Sequence, residues 1–164
     1  MEGLIETERL LLIPLNLEVH RAFLAGDIEQ ANEELNVSGL TELSLPRFVW
    51  ELRHGQLEEN PDHSPWLLRA MVLKDTRQVV GNIGFHGTPE MQANIIEEFG
   101  AIEFGYSVIE GFRRNRYTKE ACEGLMSWAT DVADTPNFIL SIAPKKRSLH
   151  RHRTKPRIHQ ALGI

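Results

Sequence analysis

With a single cysteine, Cys122, the chain can form no intramolecular disulfide, and a lone thiol inside a helical pattern reads as a small buried hydrophobe with no catalytic part. Long apolar runs are missing too: nothing approaches the roughly 20 residues needed to span a bilayer. The opening MEGLIETERL lacks the basic n-region and apolar h-region of a secretory leader, so a cytoplasmic location and no membrane partner are expected. His20, His54, His63 and His86 stand apart without the short spacings of metal ligands, and no metal site is expected. Acidic residues are absent from Lys145 onward, although the chain carries 23 Asp and Glu in all.

What is present fits one globular domain. The 164 residues, 41% of them hydrophobic, suffice to bury a core without staples. The net charge of −5 conceals a division: seven of the 18 Lys and Arg fall between Lys145 and Arg157, which leaves residues 1–144 with 11 bases against 23 acids, a balance of −12. An acidic body with a basic arm usually signals contact with nucleic acid or another polyanion. No aromatic interleaves this arm and no recognition motif precedes it, which places nucleic-acid binding last among the readings.

The chain divides by periodicity. Glu8–Leu15 reads as a strand, Leu17–Leu35 has helical spacing, and Leu45–Leu57 reads as a helix opened by Pro46 near its first turn. Trp66–Leu73 and Gln78–His86 are strand-like runs joined by a turn at Lys74, Asp75 and Thr76. A long acidic connection, Gly87–Phe99, leads to Ala101–Ile109, where Ile102, Phe104, Tyr106 and Val108 alternate with Glu103, Gly105 and Ser107. From Tyr117 to Val132 apolar residues recur at three and four, and Phe138–Ala143 is a further strand. The order predicts an α+β domain with helices flanking a largely antiparallel sheet.

The segment Glu103-Phe-Gly-Tyr-Ser-Val-Ile, followed by Phe112-Arg-Arg-Asn-Arg-Tyr-Thr-Lys-Glu-Ala, is a strand, a basic loop and the start of a helix. A helix N-terminus offers unpaired N–H groups and a positive dipole end, which suits a pyrophosphate, and Arg113, Arg114 and Arg116 add charge. On spacing alone a solvated basic turn is the commoner reading. Four stretches in order nevertheless resemble the GNAT acetyltransferase superfamily, in particular the branch that acetylates N-terminal amines of ribosomal proteins. They are Thr7-Glu-Arg-Leu-Leu-Leu, Val79-Val-Gly-Asn-Ile-Gly-Phe, Ile102-Glu-Phe-Gly-Tyr-Ser-Val, and the loop and helix from Arg113 to Ala121.

The resemblance implies a GNAT-like fold, transfer of an acetyl group from acetyl-CoA to a primary amine, and no metal. It implies that Tyr106, Ser107 and Val108 pair with the pantetheine arm, while Arg113, Arg114, Asn115, Arg116, Tyr117 and Thr118 wrap the pyrophosphate. Arg116 and Thr118 occupy the places where the family has Gly and a small residue. Gly reaches positive φ without cost, so Arg116 is expected to strain the turn. Glu103 matches a position that serves as general base in some relatives; the alternatives are a hydrogen-bond acceptor or a solvated strand residue. Tyr106 either lines the acyl site or belongs to the core. The loops Glu58–Pro65 and Gly87–Phe99 are expected to set the acceptor, their acidity hinting at a cationic one. Dimers through the sheet or helices are frequent in the family.

After Ser141-Ile-Ala-Pro the family continues with Asn, a short helix, Leu-Gly-Phe and two strands, whereas this chain continues with Lys-Lys-Arg. Lys145 and Lys146 are encoded by a run of A. Deleting one base and regrouping permits Asn-Glu-Ala-Ser-Ile-x-Ile-Val-Gln-Asn-Leu-Gly-Phe, the segment the resemblance calls for. The expectation is therefore a GNAT domain over 1–144 lacking its C-terminal strands, and an atypical basic tail over 145–164 produced by a frameshift. Three functions stand in order: an N-acetyltransferase, a catalytically impaired CoA-binding or interaction domain, and a nucleic-acid binder acting through the tail.

Overall fold

The computed structural model describes residues 3–43, 45–133 and 137–140, together with the backbone of 161–162. The frameshift and nucleic-acid readings of the tail, and the last three residues of the strand expected over Phe138–Ala143, fall outside the described residues. Strands β1 (Ile5–Glu6), β2 (Leu10–Pro14), β3 (Leu68–Leu73), β4 (Val79–Phe85), β5 (Ile102–Val108), β6 (Phe138–Leu140) and β7 (Ala161–Leu162) form one sheet in chain order. The pairs from β1 to β5 are antiparallel, β5 and β6 are parallel, and β6 and β7 are antiparallel. Helix α5 (Tyr117–Ala133) makes the crossover that a parallel pair requires. The α+β reading with helices flanking a mostly antiparallel sheet holds. The domain over 1–144 is expected to lack its C-terminal strands, and the structure places the two-residue β7 beside β6 at Phe138 and Ile139.

Helices sort to the two faces because side chains alternate along each strand. Leu10, Leu12, Met71, Ile83, Phe85 and Phe104 are buried on the face covered by Ala121, Leu125 and Ala129 of α5. Ile13, Leu68, Ala70 and Val72 face the other way, against Val19, Leu35 and Trp50 from α1 (Leu17–Ala25), α2 (Ile28–Leu35) and α3 (Arg47–Glu59). Each Leu, Ile, Val, Met or Phe among these contributes about 1.5–3 kcal/mol on burial.

The stretch Leu17–Leu35 is two helices, not one, because local capping stops the first. Asn16 accepts from the Val19 N–H at 2.9 Å to open α1, and Gly26, at φ 83°, closes it by donating to Ala22 and Phe23 carbonyls. Asp27 then accepts from the Gln30 N–H at 3.1 Å and opens α2. Pro46 precedes α3 as its cap residue, and the connection Gly87–Phe99 contains a short helix, α4 (Ala93–Phe99).

Arg69 on β3 is wholly buried, and among the described residues no carboxylate pairs with it. Carbonyls of Gly3, Leu12 and Pro65 solvate its guanidinium, which lies 4.6 Å from the Trp128 ring centroid, and burial lowers its pKa to about 9.

Candidate active site

Between β5 and α5 the backbone turns through a 3-10 turn, Glu110–Phe112, and then through Arg114 at φ 68° and Arg116 at φ 64°. Two non-glycine residues in the left-handed region cost on the order of 1–2 kcal/mol each, so neighbouring groups must hold them. Asn115 Nδ2 donates to the carbonyls of Phe112 at 3.0 Å and Arg113 at 3.3 Å, and the Arg116 carbonyl accepts from the Glu120 N–H at 3.2 Å. Arg113 Nε turns back onto the Val108 carbonyl at 3.3 Å.

A second brace comes from the turn between β1 and β2. One oxygen of Glu120 accepts from Thr7 Oγ1 at 2.6 Å and from the Arg9 N–H at 2.7 Å, and the other from Arg9 Nε at 2.8 Å. The Arg9 guanidinium also donates to the Asn115 carbonyl at 3.1 Å and lies 4.7 Å from the Tyr117 ring centroid. Burial pushes the Glu120 pKa up, but the Thr7 hydroxyl and the Arg9 amide and guanidinium outweigh it, and the carboxyl sits below its ordinary range. Gly124 permits this packing, since a Cβ there would lie 2.8 Å from Thr7 Cγ2.

This braced loop borders a groove of about 1010 Å³. Arg114, Arg116, Thr118 and Lys119 stand on its loop and first-turn side, Cys122, Met126 and Ser127 along α5, and Tyr106 and Leu140 on the strands. β5 pairs with β6 only from Ile102 to Phe104, so its outer half, from Gly105, extends past that pairing among the described residues. Burial, with a smaller effect of Glu123, pushes the Cys122 thiol up to about 11. It is a neutral thiol near pH 7, half-buried where a fully buried one is expected.

On the opposite face a second groove, of about 530 Å³, is walled by Phe48, Val49 and Leu52 of α3 and floored by Asn82, Gly84, Gly105 and Ser107. Asn82 Nδ2 donates to Ser107 Oγ at 2.6 Å. His86 lines this groove, and its Nδ1 lies 3.2 Å from Glu103 Oε2. The buried Arg53 donates to the His86 carbonyl at 2.9 Å and to Gln56 Oε1 at 2.8 Å, and burial lowers its pKa. Gln92 fixes the strand beneath: its Oε1 accepts from the Glu103 N–H at 2.7 Å, and its Nε2 donates to the carbonyls of Glu103 at 3.1 Å and Gly87 at 3.0 Å. Tyr106 borders both grooves, and burial raises its pKa.

A family profile described as acetyltransferase (GNAT) domain matches residues 9–151. The chain belongs to the GNAT acetyltransferase family. In sequence this GNAT chain is 36% identical over 64 residues, 39% of its length, to the uncharacterized N-acetyltransferase YjdG of Bacillus subtilis (strain 168), and the match spans 32% of that protein. In structure it resembles a Vibrio cholerae protein assigned as a ribosomal-protein-serine acetyltransferase, with a TM-score of 0.53, 16% identity, and 87% of this chain covering 75% of that one. An acetyltransferase from Agrobacterium tumefaciens str. C58 aligns with a TM-score of 0.50 and 23% identity over 88% of this chain and 76% of that chain.

The residues expected to bind the cosubstrate do not all face one place. Arg114, Arg116, Thr118 and Tyr106 converge on the α5 groove, while Arg113 and Asn115 are spent on holding the loop and Tyr117 packs beneath Arg9. Ser107 lines the opposite groove, and Val108 packs against the core. The strain expected at Arg116 is present as its positive φ. The loops Glu58–Pro65 and Gly87–Phe99 contribute no residue to either groove's wall; α3 does so instead. His86 was discounted as a metal ligand on its spacing, and no spacing rule links it to Glu103, which becomes its neighbour only through β-pairing.

Proposed function

We propose that this GNAT acetyltransferase transfers the acetyl group of acetyl-CoA directly to a primary amine, a protein N-terminus or a small-molecule amine. The observation that carries the reading is the pair of grooves meeting at Tyr106, one cationic at its loop end and the other opening on the far face of the same strand. The α5 groove suits the cosubstrate by its chemistry. Arg114 and Arg116, with the N–H groups of the first turn of α5, would hold the diphosphate, and Cys122, Met126 and Leu140 offer apolar contact to the thiol-bearing arm. Acetyl-CoA supplies the activated thioester. The Phe48 and Leu52 groove would receive the amine and, with Tyr106, hold it against the strand from which the thioester is reached.

Calorimetric titration with acetyl-CoA at moderate salt tests the first half: saturable binding near one per chain is expected, weakened about tenfold by Arg114→Ala. A folded chain that binds none overturns the reading. Turnover of Ser-initiated peptides, suggested by the name of the Vibrio relative, and of a broad amine panel tests the second half. The strained Arg116 favours one competing reading, a domain that binds coenzyme A without turning over; saturable binding with no acetylation of any amine would establish it.

A further inference from the structure

We infer that His86 is the group that takes the proton from the acceptor amine, and that Glu103 acts through it as a positioning residue. The inference rests on the transferase reading above and deepens it at the acceptor side.

Three observations place His86. It follows β4 directly opposite Glu103, to whose carbonyl its own N–H donates at 3.0 Å, so ring and carboxylate project from one face of paired strands. That face is the floor of the acceptor groove, which His86 lines, whereas Glu103 does not. The ring has a defined orientation: Nδ1 is 3.2 Å from Glu103 Oε2, and Nε2 would lie 3.1 Å from a Cβ on Gly105. Gly105 thus keeps the space that the ring leans over.

A carboxylate can only accept, so its approach to 3.2 Å of Nδ1 favours the tautomer with the proton on Nδ1, in which Nε2 keeps its lone pair on the side of Gly105 in the groove floor. Among the described residues that line this groove, the other titratable or charged groups are Arg53 from α3, which is engaged with the His86 carbonyl, and Tyr106, which shares the groove wall. Gln92 and the Arg53 contact hold the two backbones, so the pair is braced from both sides. In the transfer, His86 Nε2 accepts one proton from the acceptor ammonium. The freed lone pair forms the C–N bond at the thioester carbonyl as the C–S bond breaks. The second proton lost by nitrogen ends on the departing sulfur, giving the thiol. The imidazolium then returns its proton to solvent, to which the His86 side chain is 42% exposed. Every proton and electron pair is accounted for without a further reactant.

The test measures acetylation of Ser-, Ala- and Met-initiated peptides and spermidine across pH by the wild type, His86→Ala and Glu103→Gln, with the acetyl-CoA dissociation constant of each. His86→Ala should lower kcat by about 10²-fold or more and abolish the acid limb of the pH profile, with acetyl-CoA binding unchanged. Glu103→Gln should cost less, about tenfold in kcat with the acceptor KM unchanged, because the ring loses the carboxylate that orients it, and Glu103→Asp should recover part of that loss. Gly105→Ala gives a second variant: its Cβ would stand 3.1 Å from Nε2, which tightens the contact on the ring and should lower kcat with acetyl-CoA binding intact. If His86→Ala retains wild-type kcat and its acid limb, or if Glu103→Gln alone abolishes turnover, the proton route is wrong while the transferase reading survives. A wild type that acetylates none of these amines removes both.

Discussion

At the scale of single residues, two positions carry costs that experiment can read. His20 in α1 is fully buried, its Nδ1 2.9 Å from the Asn16 carbonyl and its ring 5.2 Å from that of Trp50. Burial, only partly offset by that hydrogen bond, lowers its pKa from 6.5 to about 4. Between these values the unfolded chain binds the proton and the folded chain does not, so stability falls as pH drops from about 6.5 towards 4 and this loss stops below. Unfolding by urea at pH 5 should give a free energy about 2 kcal/mol below that at pH 7 from this group, and His20→Gln should remove that part of the difference. Arg116 stores a conformational cost in the loop before α5. Replacing it with Gly and with Ala removes the same charge, but only Gly relieves the left-handed backbone. The Gly variant should therefore be the more stable of the two by about 1 kcal/mol in chemical denaturation, the reverse of their order in a helix interior.

Among elements, the contact that matters most for the site joins the β1–β2 turn to the first turn of α5. Thr7 and Arg9 lie 113 and 111 residues from Glu120 in sequence, and together the three fix the start of α5, where Arg116 and Thr118 meet the groove. Gly124 sits one turn further on, where Thr7 cannot yield because its hydroxyl already donates to Glu120 and accepts from the Leu10 N–H. An alanine at 124 gains helix propensity worth about 1 kcal/mol but overpacks this contact by about 2 kcal/mol. The net expectation for Gly124→Ala is a loss of about 1 kcal/mol, read from the urea midpoint, together with weaker acetyl-CoA binding read by calorimetry. A more stable variant with unchanged binding would show that the turn and the helix are not coupled in this way.

Over the whole molecule, the sheet separates two grooves. One face, under α5, carries the basic loop, and the other, under α3, carries an apolar wall in which Phe48 is 65% and Leu52 53% exposed. Because the two grooves share Tyr106 and little else, substitutions at the rim of one should leave binding in the other intact. Leu52→Asp should raise the acceptor KM several-fold, with the acetyl-CoA dissociation constant and the unfolding midpoint within error of wild type. An equal loss of affinity for both ligands would mean that the grooves act as one. Among the described residues no helix is long and apolar enough to cross a membrane.

The sequence by itself determined the sheet, its main strands, the crossover helix and the family, because each rests on local periodicity or on contiguous motifs. The alternation Ile102, Phe104, Tyr106 and Val108 could only suit a strand with one face on a core, and those residues do pack there. The basic loop from Arg113 to Thr118 was equally plain as a run of residues. Only tertiary structure decided which of its members reach the groove, since that depends on Asn115 closing the loop and on Arg9 bracing it from a hundred residues away. The break at Gly26 was hidden by helical spacing that continues through it, and α4 by its shortness. His86 and Glu103 meet for the same reason that neither could be assigned its partner beforehand: strand register is set by which faces bury their apolar side chains, a property of the assembled sheet and not of either segment alone.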